Sequence, residues 1–287
     1  MKASLGLCRA KANLDSSWQI TEFVGDTVPN IRSAVALMGV AGPAQKVILQ
    51  VWDEDKVVAY LKYAETPAAL ARVAREHHIL QGLPPGIGPT VLKYGPLGQG
   101  QGLLISRVAG KMLPPTLPAL PRLNNFLSNL TSSPPFPLTD HPWALEGLDR
   151  YGVGIERWLG QLSYRAWPIT YQHGDLAPWN LLLGSGDSIM AIDWEYGSLH
   201  GFPYIDLAQY YLQVGALIYR WSPRKAHEYT REYLCRDAPF LSRKAASALI
   251  CLAAYRAYHE ALSDGHDTTV PLQSWRRSLW DHQPDAD

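Results

Sequence analysis

The chain has 287 residues, of which 47% are hydrophobic and 18% are charged, a composition typical of a globular protein with one large domain or two lobes. Lysine plus arginine and aspartate plus glutamate both number 26, so the formal net charge is zero. No overall field therefore favours nucleic acid or an anionic membrane as a partner.

Apolar runs and cysteines bear on the location of the protein. No apolar run approaches the roughly 18 residues that a transmembrane helix needs. The apolar residues 5–8 end at Arg9 and are too few for the core of a signal peptide. Cys8, Cys235 and Cys251 lack metal-ligand spacing and favour a reducing compartment. We expect a cytoplasmic protein without membrane insertion.

The first third of the chain consists of short apolar runs separated by turn residues, a pattern that predicts antiparallel strands. The predicted strands are residues 18–24, 35–38, 46–52, 56–62, 90–94 and 102–106. A helix is predicted over residues 68–81, because Thr66 is a good N-cap, Pro67 suits the first helical position and Gly82 ends the apolar pattern. At helical spacing one face carries apolar residues and should pack on the sheet: Leu70, Val73, Ala74 and His77.

The second half of the chain is predicted to be mostly helical. A proline-rich segment over 108–142 precedes a helical pattern over 143–164, which Gly152 and Gly154 interrupt. Further helices are predicted over 204–219 and, as a pair, over 225–263, with Trp275 and Trp280 anchoring a last one.

The stretch over residues 171–193, YQHGDLAPWNLLLGSGDSIMAID, contains two short apolar runs separated by Gly-Ser-Gly-Asp, which predicts a hairpin. Asp175 precedes the first strand, Asn180 begins it and Asp193 follows the second. The hairpin should therefore bring two carboxylates and an amide oxygen to one edge. Such hard oxygen ligands suit Mg²⁺ bound to substrate phosphates.

The order His-Gly-Asp-Leu-x-x-x-Asn over residues 173–180 is that of the protein-kinase catalytic loop, with Gly174 where that loop has arginine. Together with Ile-Asp-Trp-Glu-Tyr-Gly at 192–197, it resembles the aminoglycoside phosphotransferase and choline kinase family. The alternative is a β-hairpin whose polar residues cap turns.

The resemblance implies an α+β, bilobal, protein-kinase-like fold with a small antiparallel-sheet N-lobe and a mostly helical C-lobe. Residues 1–107 would form the nucleotide-binding lobe, 108–142 the hinge and proline-rich linker, and 143–287 the catalytic and acceptor-binding lobe. Asp175 would orient the acceptor hydroxyl and take its proton, while Asn180 and Asp193 would hold Mg²⁺ on the phosphates of ATP.

The resemblance also implies roles in the N-terminal half. Lys62, at the end of a predicted strand, would bind the ATP phosphates and pair with Glu76, as the family's strand lysine pairs with a helix glutamate. The alternatives are an exposed strand-end lysine and a solvated glutamate, and Arg72 and Arg75 compete for Glu76.

Two backbone segments complete the implied nucleotide site. Gly39 and Gly42 would belong to the loop that covers the phosphates, or form a plain hairpin turn. The backbone of Ser106 to Val108 would hold adenine, which is compatible with a linker between lobes. In the C-terminal half, Asp206 resembles the buried aspartate that supports the catalytic loop, and His173 is expected to have a packing and hydrogen-bonding role.

The acceptor is predicted to be a small molecule with a hydroxyl group. Only twelve residues separate Asp193 from Asp206 and no Ala-Pro-Glu motif follows, which favours a small-molecule kinase over a protein kinase. An aminoglycoside, a choline-like compound, a sugar and a nucleoside stay open as acceptors. The alternative from another class is a nucleotide-binding pseudokinase with a regulatory or scaffold role. Six residues of the C-terminal part are available to the acceptor: Tyr204, Glu228, Tyr255, Glu260, Asp264 and Trp275.

Overall fold

The computed structural model describes residues 8–13, 19–28, 30–38 and 42–281. The chain divides into two compact units. The first comprises Met1–Ala109 with Ser263–His266, and the second comprises Gly110–Leu262 with Asp267–Asp287. Within the described ranges, no helix is both long and apolar enough to cross a membrane.

The first unit is built on a six-stranded antiparallel sheet with the order β1-β2-β3-β4-β6-β5. Its core forms on one face, where Val51, Ala59 and Leu61 are completely buried. Five of the six predicted strands are confirmed. The elements are β1 (Cys8–Asn13), α1 (Gln19–Gly25), β2 (Ile31–Met38), β3 (Val47–Asp53), β4 (Lys56–Ala64), α2 (Pro67–Gly82), β5 (Val91–Leu97) and β6 (Gly100–Ser106).

The prediction of a first strand over residues 18–24 was wrong, because α1 occupies residues 19–25; Trp18 lies outside the described residues. Phe23 and Val24 are buried in the core of the sheet, and Ile20 packs beside them. Positions 20, 23 and 24 share one face of a helix but not one face of a strand. Helical spacing therefore outweighed the β-branched and aromatic composition that favours strands.

The start of α2 is confirmed, because Thr66 Oγ1 accepts a hydrogen bond from Ala69 N at 3.3 Å. The predicted buried face was wrong in part, because Ala74 is exposed and Leu70 is only partly buried. Arg72 and Glu76 are buried with charged partners, so the buried face of α2 is displaced by about one residue from the predicted face. The apolar pattern of the sequence could not show this. The buried residues are Ala69, Arg72, Val73, Glu76, Ile79 and Leu80.

The second unit is mostly helical and has two small antiparallel sheets, with the orders β11-β10-β7 and β12-β9-β8. The predicted helices and the hairpin of β10 with β11 are confirmed. The elements are β7 (Lys111–Met112), α3 (Pro121–Asn129), β8 (Thr131–Phe136), α4 (Pro142–Tyr151), α5 (Glu156–Gly160), β9 (Trp167–Gln172), β10 (Leu181–Leu183), β11 (Ile189–Ala191), β12 (Ser198–Gly201), α6 (Ile205–Gln213), α7 (Pro223–Asp237), α8 (Arg243–Ser263) and α9 (Pro271–Asp281).

Several elements of the second unit differ from the regular helices that the sequence predicts, or interrupt them. The segment predicted as a proline-rich linker contains β7, α3 and β8, whose short lengths gave little periodic signal. The break between α4 and α5 falls at the predicted glycines, where Gly152 has φ +59°. After α6 the chain continues as a π-helix, Val214–Ile218. Helix α8 is buried along most of its length and carries Arg256 into the interior.

Candidate active site

The loop between β9 and β10 carries Asp175, and the first turn of α6 fixes its shape. Asp206 Oδ2 accepts from His173 N at 2.6 Å, and Oδ1 accepts from Gly174 N at 2.9 Å. Gly174 has φ +83°, and a Cβ there would lie 2.1 Å from Tyr196 O. Any side chain is therefore excluded where the protein-kinase loop has arginine, and the predicted supporting role of Asp206 is confirmed.

The ring of His173 links this loop to the chain after β11. His173 is completely buried, and its ring packs against Trp194 with centroids 4.8 Å apart and an angle of 50° between the ring planes. Nε2 lies 2.8 Å from Ile192 O and Nδ1 lies 3.2 Å from Asp175 N. Since a carbonyl can only accept and a backbone N–H can only donate, the ring is neutral with its proton on Nε2. The predicted structural role of His173 is confirmed.

The Asp175 carboxylate is held between two side-chain amides. Gln213 Nε2 donates to Oδ1 at 2.7 Å, and Asn180 Nδ2 lies 3.4 Å from Oδ2 and 2.9 Å from the Asp175 carbonyl oxygen. Burial raises the pKa of Asp175 above its ordinary value and the negative charge of Asp193 adds to this shift, while the positive charges of Arg276 and Arg256 act against it. The carboxylate thus has a fixed direction and an increased affinity for a proton.

Gln213 was missed by the sequence reasoning. It lies 38 residues beyond Asp175, at the last position of α6, and no motif connects the two. The one signal available was the recurrence of polar residues, Asp206, Gln209 and Gln213, in a helix that is otherwise apolar or aromatic.

Asn180 and Asp193 are brought together by the pairing of β10 with β11. Ile192 N donates to Asn180 O at 2.9 Å, so Asp193 follows immediately beyond this bond. Asp193 has φ +67°, and this left-handed conformation turns the chain directly after the strand. In the described part of the chain no group donates to Asn180 Oδ1, which leaves an amide oxygen beside a carboxylate. This donor set fits Mg²⁺.

In the first unit, β4 and α2 bring Lys62 and Glu76 together. Lys62 Nζ lies 2.6 Å from both carboxylate oxygens of Glu76, and the two residues are 5% and 0% exposed. The predicted contact is therefore present. The competing Arg72 instead binds Asp264 through Nε at 2.7 Å. A role of Lys62 and Glu76 in nucleotide binding stays a prediction.

The backbone segments expected to hold the nucleotide lie only partly within the described residues. Gly39 lies outside the described residues, and Gly42 is exposed. Ser106 N donates to Thr90 O at 2.9 Å, so this backbone donor is used within the first unit. Val108 follows the end of β6 and is half-buried. Their roles toward phosphates and adenine stay predictions.

The three carboxylates considered for the acceptor each pair with an arginine. Two of them, in Glu260 and Asp264, are 3% exposed. The pairs are Glu228–Arg224 at 3.1 Å, Glu260–Arg150 at 2.6 Å and Asp264–Arg72 at 2.7 Å.

Comparison with known proteins identifies a matching family. Residues 138–246 match the model of the phosphotransferase enzyme family. No curated protein sequence matches the chain significantly. The matched segment contains Asp175, Asn180 and Asp193, and it confirms the predicted resemblance and the predicted class of enzyme, a phosphotransferase.

Solved structures with low sequence identity resemble the chain. Plasmodium vivax ethanolamine kinase is 14% identical with a TM-score of 0.55, covering 91% of this chain and 86% of its own. An aminoglycoside phosphotransferase of Streptomyces rimosus, solved with ADP and streptomycin, is 18% identical with a TM-score of 0.45, covering 71% and 90%. A macrolide 2′-phosphotransferase of Brachybacterium faecium is 13% identical with a TM-score of 0.43, covering 99% and 96%. The first likeness confirms the predicted protein-kinase-like α+β fold.

Proposed function

We propose that this protein transfers the γ-phosphoryl group of ATP to a hydroxyl group of a small polar molecule. The observation that supports this most strongly is the Asp175 carboxylate. It is oriented by Asn180 and Gln213, and it lies in a loop that Asp206 anchors through two backbone hydrogen bonds. A fixed carboxylate beside a pair of Mg²⁺-compatible oxygens is what transfer to a hydroxyl requires.

Asp175 acts as the general base. The hydroxyl oxygen of the acceptor attacks the γ-phosphorus, the bond from that phosphorus to the bridging oxygen of the β-phosphate breaks, and ADP leaves. The hydroxyl proton passes to the Asp175 carboxylate. Burial raises the pKa of this group, which makes the carboxylate a stronger base. A stronger base accepts the proton more readily as the hydroxyl loses it.

Asn180 Oδ1 and the Asp193 carboxylate would hold Mg²⁺, which when bound neutralises charge on the phosphates. Lys62 would bind a phosphate oxygen, with its ammonium oriented by Glu76. The backbone of Ser106 to Val108 would hold adenine, and the loop that includes Gly42 would cover the phosphates. The acceptor could be an aminoglycoside, a choline-like compound or a sugar, three classes of small hydroxyl compounds.

The test is phosphoryl transfer by wild type and Asp175→Asn, with Mg·ATP and a panel of these acceptors. We expect kcat to fall by about 10²–10⁴-fold in the variant, because the proton acceptor is lost, while the Kd of Mg·ATP changes little. Asp149→Asn, on the exposed side of α4, is the matched control. Undiminished transfer by Asp175→Asn would contradict the proposal. ATP binding with no transfer to any acceptor would instead support a nucleotide-binding pseudokinase.

A further inference from the structure

A small pocket of the second unit, with a volume of about 10 Å³ accessible to a water-sized group, lies beside Asp175 and is separated from it by Gln213. Gln209 and Gln213 of α6 and Arg276 of α9 line it, together with apolar side chains that include Leu212 and Leu272. Gln213 connects the pocket to Asp175, because the same amide donates to the carboxylate at 2.7 Å. None of the residues that line this pocket carries a carboxylate.

Arg276 presents a positive charge to this pocket. Its Nη1 donates to Ala257 O at 3.2 Å and to Gln273 Oε1 at 2.8 Å. Among the described residues, Nε and Nη2 have no hydrogen-bond partner, and no carboxylate comes within ion-pairing distance. Burial lowers the pKa of Arg276, while the nearby Asp175 acts against this shift. A guanidinium in this position is stabilised by an anion that supplies acceptor oxygens.

Gln209 is a second polar group available to a ligand. It is 3% exposed and lines the pocket, and its side-chain amide makes no hydrogen bond to any residue within the described ranges. A side-chain amide that lines a pocket offers a donor and an acceptor to a ligand there. A polar ligand in the pocket could hydrogen-bond to this amide.

The acidic residues that a cationic acceptor would need are already neutralised. Glu260 is buried against Arg150 and Asp264 against Arg72. Glu228 is paired with its helix neighbour Arg224. Apart from Asp193, which the proposed function assigns to Mg²⁺, the charges that act on Asp175 come from Arg276 and Arg256 and are positive.

We propose that the acceptor is a hydroxyl compound that carries a carboxylate, with the carboxylate bound by Nε and Nη2 of Arg276 and the hydroxyl directed to Asp175. This inference rests on the proposed function and narrows its substrate class. Gln209 hydrogen-bonds the polar body of the acceptor. During transfer the hydroxyl oxygen gains the phosphoryl group and loses its proton to Asp175, and the acceptor carboxylate is unchanged.

Binding to matched compounds tests the anion site without requiring turnover. One series is glucuronate, glucose and glucosamine; the other is glycerate, glycerol and 2-amino-1,3-propanediol. With the full chain and Mg·ADP, calorimetry should show that the anion of at least one series binds at least about tenfold more tightly than its neutral and cationic relatives. Tighter binding of the cation or the neutral compound, or no anion bound at about 10 mM, would overturn the inference.

Variants of Arg276 assign the effect to this residue. Arg276→Gln should remove the preference for the anion and leave the Kd of the neutral compound within about twofold. Arg276→Lys should keep part of it, since the charge remains but the planar two-nitrogen geometry is lost. Arg277→Gln, the exposed neighbour in α9, is the matched control. Equal weakening of all three compounds by Arg276→Gln, in a protein that melts like wild type, would show a structural role and overturn the inference. If Arg276→Gln does not fold, Arg276→Lys decides the question by the same comparison.

The transfer assay separates this inference from the proposed function. Phosphorylation of the anion, with its KM raised in Arg276→Gln, supports both. Selective binding of the anion without transfer supports the anion site and counts against the kinase activity. Transfer to the cationic member of a series supports the kinase activity and overturns the anion site.

Discussion

At the scale of single residues, the orientation of Asp175 depends on side chains far apart in the sequence. Asn180 is local to the catalytic loop, whereas Gln213 comes from the end of α6. A hydrogen bond to an ionised group contributes about 1.5–3 kcal/mol, more than a bond between neutral groups. Gln213 is therefore a positioning residue for the proposed base.

Gln213→Leu should lower kcat about 10–100-fold, because the carboxylate loses a charge-assisted hydrogen bond and its fixed direction. Losing a donor to the ionised form should also raise the pKa of Asp175 further, so the acidic limb of the pH–rate profile moves to higher pH. The measurement is kcat as a function of pH.

The matched control is Gln209→Leu, which changes the same pocket without contacting Asp175. It should affect KM for the acceptor more than the pH profile. If Gln213→Leu lowers kcat without moving the acidic limb, Gln213 acts through packing and not through the carboxylate.

At the scale of elements, a buried ion pair joins β4 to α2. Lys62 and Glu76 are almost completely buried, so each charge depends on the other for its stabilisation. Removing one partner of a buried pair is costly because it leaves an uncompensated charge, whereas replacing both by apolar side chains is often neutral. The pair therefore adds little net stability, but removing either residue alone destabilises the first unit.

Lys62→Met should lower the free energy of unfolding of the first unit by about 3–5 kcal/mol, and Lys62→Met with Glu76→Leu should recover most of that loss. Hydrogen exchange of the β4 and α2 amides, together with urea unfolding, measures both. Lys56→Met, at the exposed start of β4, should change little. A double variant as unstable as the single one would contradict this account.

At the scale of the whole molecule, several histidines have lowered pKa values. Burial is the main cause in each case, and for His227, whose pKa falls to about 4, the positive charge of Arg231 contributes. A histidine whose pKa is lowered in the folded state binds a proton more readily in the unfolded state. The unfolded state is therefore favoured as the pH falls below about 6.5. The residues are His77, His141, His227 and His259.

Stability should therefore be greatest near neutral pH and decrease between pH 6.5 and pH 5. His227 alone should account for about 2 kcal/mol at pH 5. The raised pKa of Asp175 acts in the opposite direction, since the folded state there binds a proton more readily. Urea unfolding at pH 7 and pH 5 measures the loss, and His227→Gln should reduce it. Exposed His78→Gln is the control, and an equal pH dependence in wild type and His227→Gln would contradict the assignment.

The sequence by itself determined the elements with strong local signals. Thr66 and Pro67 begin α2, the Gly-Ser-Gly-Asp turn sets the hairpin of β10 and β11, and the motif around Asp175 indicates phosphoryl transfer. These features depend on residues within about one or two turns of each other, where capping and turn chemistry act. For the same reason the family resemblance could be read from a single stretch.

The tertiary structure alone decided which distant groups meet. It turned residues 19–25 into a helix, buried Arg72 and Glu76 with their partners, and placed Gln213 and Arg276 near Asp175. Burial of a polar side chain is costly unless a partner is present, and for Arg72, Glu76 and Gln213 that partner comes from a distant part of the chain. The charge of the pocket lined by Gln213 and Arg276 is consequently a property of the packed helices, and the order of the residues does not show it.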